Sequence, residues 1–459
     1  MACAADFYFY KKLTNMKKNR FYIIVLIVFA VAAGFIVVKR KDKEVSFYPL
    51  LDRKGLSVQK EEWKNIQKSF TDLMKVVKTN PDDSNARVSL SSLYIQEARV
   101  TGNYMYYDRA AMKYVNEVLD KNPLNFQALT FKSLLYLSQH HFTDGLAFAE
   151  KAKQVNPYNA FVYGLLVDGN VETGNYKAAI GYADKMVSIR PDIRSYSRIS
   201  YLREIHGDYT GAIEAMKMAT EAGQTGDETT EWTRVQLGHL YENIGDLENA
   251  AIQYNTALQN RPSYAYALAG LGHIALAEKN YQKATGYYLA ADTLVKDYSF
   301  KEALVDAYQL AGQKDKADAI SKDIIDAMNK DAESGKSNDN IGHYADRELA
   351  YAYLKINNYN KALEHALAEY NRRPDNIDVN ETVAWVYYKK ADYARALPYI
   401  ETALKTNNKN PTLLCHAGLI YAKSGSAAKA KALLQEGLRN DPNIAEDLKR
   451  ESFTVLQSL

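Results

Sequence analysis

The sequence predicts an all-α protein, a superhelical solenoid of antiparallel helix pairs preceded by one transmembrane helix. Two observations carry that prediction. Pro123, Pro157 and Pro191 recur every 34 residues, with Pro262 another 71 on, which is two periods plus three inserted residues. Phe21 to Val38 is an 18-residue run without a charge. With 459 residues, 47% of them hydrophobic, and only two cysteines, the chain is neither disordered nor collagen-like nor a disulfide scaffold.

The first element is the apolar run FYIIVLIVFAVAAGFIVV. As a helix it spans about 27 Å, just enough for a hydrocarbon core of about 30 Å. Thirteen of its 18 residues are Ile, Val, Leu or Phe, which favours insertion by at most about 4 to 8 kcal/mol. Lys17, Lys18 and Arg20 precede it, and Ala30-Val31-Ala32 fits a small-x-small cleavage pattern, so removal as a signal peptide is the competing reading. Phe35 to Val38 continues the apolar run past that site and favours a retained anchor. Charge before the span places the N-terminus inside and the bulk of the chain outside the cytoplasm, in a periplasm-like space; the reverse, cytoplasmic-facing orientation is the alternative.

Residues 1–44 carry nine Lys/Arg and three acids, a net of +6, and the remaining 415 carry 49 basic against 52 acidic groups. The bulk of the chain therefore lacks the basic footprint of a nucleic-acid binder. Cys3 and Cys415 form no CxxC and no metal-ligand spacing.

Past a linker at 39–56, Val58, Trp63, Ile66, Phe70, Leu73, Met74 and Val77 recur at mostly three- and four-residue spacing and predict an amphipathic helix ending before Pro81. Ala86 to Asn122 reads as an atypical helix pair. Nine units then start near Phe126, Ala160, Ile193, Glu231, Ala265, Tyr298, His343, Ile377 and Pro411. Their twentieth residue is Gly145, Ala179, Ala212, Ala250, Ala284, Ala317, Ala362, Ala396 or Ala430, and the eighth is mostly small, so the two helices of a pair cross closely there. Phe142, Tyr176, Tyr209, Tyr281, Tyr359 and Tyr393 at the seventeenth position can fill the wedge beside the crossing. Proline near the end of a unit stops its second helix. Pro398 lies inside one such helix and predicts a local departure. Gly223 to Thr230 and Lys330 to Ile341 read as loops, and 443–459 as a helix capping the last stacking face. The resulting plan is a basic tail at 1–20, the span at 21–38, the linker at 39–56, a divergent helical part at 57–125, nine repeats at 126–442 and the capping helix.

These units resemble the tetratricopeptide repeat family, most closely in RVQLGHLYENIGDLENAAIQYNTALQNRP, Arg234 to Pro262. The unit from Phe126 to Pro157 is looser, with Ser133 and Gly145 where Gly and Ala are usual. The resemblance implies a right-handed superhelix whose first helices line a concave groove through positions two, five, nine, twelve and thirteen. Carried onto this chain, those positions include Phe161, Asp168, Arg194, Tyr201, Glu204, Trp232, His239, Tyr266, His273, Tyr344, Arg347, Tyr351, Trp385 and Tyr388. Aromatics and arginine are favoured anchors for a protein or peptide partner, although many of the 36 tyrosines also suit the packing of the repeats themselves.

No HExxH, GxSxG, GxGxxG or P-loop pattern occurs in a suitable strand-helix context, and no catalytic site or cofactor is expected. His239 and His273 take the same ninth position in adjacent repeats. Two ligands without a third do not make a metal centre, so they read as polar contacts on the groove. The Lys/Asn set by which some family members clamp a terminal carboxylate is not evident. The expected function is a non-catalytic, membrane-anchored scaffold in an envelope assembly. The alternatives are an exported soluble binder, or a regulatory subunit similar to membrane-anchored repeat proteins of lipopolysaccharide control, without the cysteine-rich C-terminal module that some of those carry.

Overall fold

The computed structural model describes residues 48–54, 58–336, 342–439 and 444–459. The chain divides into two units, Met1–Leu51 and Asp52–Leu459. In the first, the described residues 48–51 form no regular element.

The second unit is built from 22 helices, with no strand among the described residues. Helix α1 (Val58–Thr79) is followed by the pair α2 (Ser84–Thr101) and α3 (Tyr104–Lys121). The first five repeats are α4 (Phe126–Ser138) with α5 (Phe142–Val155), α6 (Ala160–Glu172) with α7 (Tyr176–Ile189), α8 (Ile193–Ile205) with α9 (Tyr209–Glu221), α10 (Glu228–Asn243) with α11 (Leu247–Asn260), and α12 (Ala265–Ala277) with α13 (Tyr281–Leu294). Then come α14 (Tyr298–Leu310) with α15 (Lys314–Lys336), α16 (Asp346–Lys355) with α17 (Tyr359–Arg372), α18 (Ile377–Lys389) with α19 (Tyr393–Ala403), and α20 (Pro411–Lys423) with α21 (Ala427–Gly437); α22 (Glu446–Ser458) closes the array.

One turn type joins the two helices of all nine repeats. The fifteenth residue is left-handed in each: His140, Gly174, Gly207, Gly245, Lys279, Gly312, Asn357, Ala391 and Gly425, with φ between 58° and 82°. The next amide reaches back five residues, as in His141 N to Tyr136 O and Asp392 N to Tyr387 O, closing the first helix in a Schellman motif. That same residue caps the second helix in several units, where Asp208, Asp246, Asn280, Asn358 and Asp392 accept an amide of the first turn.

The small residues pack in two ways. Where the eighth residue is serine, its hydroxyl donates to the carbonyl of the twentieth, Ser133 to Gly145 at 2.8 Å and Ser200 to Ala212 at 2.7 Å. Where it is glycine, the room is taken by the twenty-fourth residue: a Cβ on Gly238 would lie 2.4 Å from the ring of Tyr254, and one on Gly272 2.5 Å from that of Tyr288. Both rings are fully buried.

Segments about 200 residues apart also touch, which brings one superhelical turn of the array against the next. Lys296 N donates to Thr101 O at 3.1 Å and Tyr344 N to Gln139 O at 3.2 Å. Ile377 N donates to the Tyr176 hydroxyl at 2.9 Å. Arg261 pairs with Glu62 at 3.0 Å, and Arg373 pairs with Glu172.

Two expectations change. Lys330 to Lys336, expected as loop, continues α15, because Ile324, Ile325 and Met328 bury its apolar face and the Ala, Glu and Lys that follow are good helix formers. Helix α10 likewise starts within the other expected loop, at Glu228; Glu231 accepts Gly226 N at 2.9 Å and binds Arg234 at 3.1 Å. Pro398 is accommodated inside α19. Among the described residues no helix is long and apolar enough to cross a membrane. The expected span at 21–38 lies outside the described residues.

Candidate functional site

The ninth residue of a first helix sits mid-helix on the side away from its partner's crossing, so this position forms a row through successive repeats: Asp168, Tyr201, His239, His273, Asp306, Tyr351 and Trp385. The row is accessible from Asp168 to Asp306 and buried at Trp385. Tyr201 is 39% exposed, and the side chains of His239 and His273 are 34% and 42% exposed. Arg194 on the same face of α8 is exposed. Its guanidinium stacks 5.3 Å from the ring of Phe161, its counterpart in the preceding repeat. Arg99 lies 5.3 Å over Trp232 and pairs with Glu228 at 2.7 Å, and Tyr266 meets Phe300 at 5.5 Å and Tyr264 at 5.6 Å. Asp168 is held by Arg198 through two hydrogen bonds of 2.8 and 2.6 Å.

A polar cluster forms where α10 meets α12. The carboxylate of Glu242, buried beneath the row, accepts the Tyr254 hydroxyl at 2.8 Å and lies 3.5 Å from His239 Nδ1 and 3.6 Å from His273 Nδ1. The Tyr254 oxygen is also 3.0 Å from His239 Nδ1, and the imidazole rings are 5.8 Å apart. Burial opposes the charge on Glu242, but hydrogen bonds from the two histidines outweigh it and hold the carboxyl down at about 2. Burial likewise works to lower His273, and the Glu242 carboxylate reverses this and raises it.

Glu242 is not among the candidates drawn from the sequence. Its signal is present there, since it takes the same twelfth position as Glu204 and falls three residues after His239, on one helix face. Glu204 itself accepts Asn243 Nδ2 at 3.0 Å; burial pushes its carboxyl up to about 7.

The C-terminal candidates are not free groove residues. Trp385 is 8% exposed and Tyr388 6%. Trp385 stacks at 3.6 Å on His416 and at 4.9 Å on Tyr388, whose hydroxyl donates to Glu451 of α22 at 2.7 Å. The closing helix needs an apolar and polar seat, and these two residues provide it. Tyr351 donates to Glu381 at 2.9 Å with Arg347 over its ring at 5.6 Å. Tyr344 is held between superhelical turns, 4.0 Å from the His141 ring and 4.3 Å beneath Arg372. The structure thus brings Arg194, Tyr201, Trp232, His239, Tyr266 and His273 onto three consecutive first helices and assigns Tyr351, Trp385 and Tyr388 to internal contacts, while Tyr344, 37% exposed, uses part of its ring for such contacts.

Residues 235–299 and 384–443 match the tetratricopeptide repeat family. These two segments carry tetratricopeptide repeats. Over 107 residues, 23% of its length, it is 33% identical to the Photosystem I assembly protein Ycf3 of Prochlorococcus marinus, and it spans 59% of the length of that relative. Among solved structures, the human IFIT1 dimer with PPP-AAAA is similar with a TM-score of 0.46 at 15% identity, covering 76% of this chain and 79% of that one. The APC/C hetero-tetramer Cut9-Hcn1 gives 0.40 at 14% identity, covering 85% of this chain and 74% of that one.

Proposed function

We propose that the chain is a non-catalytic scaffold that binds a protein or peptide partner along the inner face of α8, α10 and α12 and works in a cell-envelope assembly, anchored through residues 21–38. The observation that carries this reading is the accessible stretch of Arg194, Tyr201, Trp232, His239, Tyr266 and His273, since aromatic and arginine side chains are the usual anchors of protein interfaces. Tetratricopeptide repeats suit such binding, and the Ycf3 relative is a photosystem I assembly protein. The anchor rests on the uncharged apolar run alone.

The test is crosslinking in intact cells followed by mild solubilisation of membranes, with Arg194→Ala combined with Tyr201→Ala. Removing two anchors should cost at least about tenfold in recovery of the crosslinked partner, at unchanged helical content. Equal recovery sinks the assigned face. Topology is read separately with an impermeant thiol reagent. Cys415 is fully buried, so the reagent reports on Cys3, and labelling of Cys3 from outside reverses the proposed orientation. The Ala30-Val31-Ala32 pattern supports one second reading, an exported soluble binder, which sequencing of the mature N-terminus separates from the first.

A further inference from the structure

The cluster at the α10–α12 junction has the composition and spacing of a metal centre. Its three groups come from two adjacent repeats: His239 and Glu242 one turn apart on α10, and His273 one repeat later on α12. Their ligand atoms lie within 4.8 Å of one another. In a tetrahedral zinc site with bonds of about 2.0 to 2.1 Å, neighbouring ligand atoms are about 3.3 Å apart. The two Nδ1 to Glu242 Oε2 distances of 3.5 and 3.6 Å are already close to that.

Two tyrosines complete the surroundings. Tyr254 donates to the other oxygen of Glu242 at 2.8 Å, which orients the carboxylate with Oε2 toward both imidazoles, as a supporting hydrogen bond does around metal ligands. Tyr288 holds the equivalent place in the next repeat, its ring 5.7 Å from His273 at 56°, against 5.6 Å and 60° for Tyr254 and His239. In that repeat the carboxylate is replaced by Leu276, and the buried Tyr288 hydroxyl has no hydrogen-bond partner among the described residues. A buried hydroxyl left unpaired is costly and points to a water or ion that belongs beside it.

We propose that His239, Glu242 and His273 bind one divalent first-row transition metal ion such as Zn²⁺. Two neutral imidazole nitrogens and one carboxylate oxygen match the borderline-soft ligand set that zinc prefers, and three protein ligands leave a coordination position for water. That water is the partner the Tyr288 hydroxyl lacks. The two histidines are partly exposed, so the ion enters from the inner face without unfolding either repeat. This site shares His239 and His273 with the proposed docking face and goes beyond that reading, and metal titration tests it without any partner: the bound ion ties two neighbouring repeats and offers its open position to that face.

The test uses the purified full chain, stripped with a chelator and titrated with Co²⁺ and then Zn²⁺. One equivalent of Co²⁺ should give the visible bands of a four- or five-coordinate centre, and Zn²⁺ should displace it. His273→Gln, on a half-exposed residue, should keep the helical signal and weaken binding by at least about tenfold; Glu242→Gln should do the same. His206→Gln, on a histidine bonded to its own helix carbonyl Leu202 O at 2.7 Å, should bind like the unaltered chain. No saturable equivalent in the unaltered chain, or unchanged affinity in His273→Gln, overturns the proposal. If Glu242→Gln unfolds, His273→Gln and His239→Gln decide.

Discussion

Ile377 donates its backbone N–H to the hydroxyl of Tyr176, 201 residues earlier in the chain, at 2.9 Å. Ile377 is the first residue of α18 and is buried, so this amide is one of the free donors at a helix start, satisfied by a side chain from the neighbouring superhelical turn. Tyr176→Phe keeps the ring and removes the acceptor. It should destabilise the fold by about 1 to 3 kcal/mol, and hydrogen exchange at the Ile377 amide should accelerate. Unchanged exchange would show the contact to be unimportant.

The shared turn allows a change in either direction. Ala391 holds φ +58° with no compensating side-chain bond, so Ala391→Gly should raise stability by up to about 1 kcal/mol. Gly174→Ala meets two obstacles: φ is +82°, and the new Cβ would lie 2.3 Å from the Asp375 backbone of the next turn. Denaturant midpoints for the two variants should move in opposite directions.

Arg53 binds the fully buried Glu97 through two hydrogen bonds of 2.8 and 2.5 Å and also contacts Glu62, which Arg261 shares. Arg53→Ala leaves the fully buried Glu97 carboxyl without its guanidinium partner. The expected loss is about 3 to 5 kcal/mol, read by chemical denaturation.

Burial pushes Asp108 up to about 6, and Glu204 and Glu302 up to about 7. An unfolded carboxyl titrates near 4. Between about pH 4 and 7 the folded chain therefore keeps protons that the unfolded chain has released, and these three groups lose stability as pH rises through that window. Melting temperature should fall from pH 5 to pH 8, and Glu204→Gln with Glu302→Gln should flatten the slope. A rise in melting temperature over the same range in the unaltered chain, lost in the double variant, would contradict the assignment.

Deleting α22 should uncover Trp385 and Tyr388, with a red shift in tryptophan emission. Trp385→Ala, a truncation of a stacked and buried ring, should cost about 3 to 5 kcal/mol. Loss of capture in that variant would then report unfolding rather than docking.

The repeats were legible because packing imposes a fixed residue size at fixed intervals: Ala250 and Ala284 at the crossing, Gly238 and Gly272 beneath tyrosine rings, Pro262 after the second helix. The face presented by the ninth position followed from the same register. Contacts between superhelical turns were not legible, since His141 with Tyr344, or Gly174 with Asp375, joins residues some 200 apart with no shared local pattern. That is why the contacts of Tyr344 went unread; those of Trp385 and Tyr388 went unread because they seat the closing helix α22, which stands outside the repeat register. Glu242 could have been found from His239 by helical spacing alone.

In a stack whose units touch only their neighbours, end units can fray one at a time. Here the pairing of Arg261 with Glu62 and of Tyr176 with Ile377 makes each end a support for units six periods away. Losing one terminus strips partners from the middle, so melting should approach a single cooperative step instead of a progressive unzipping.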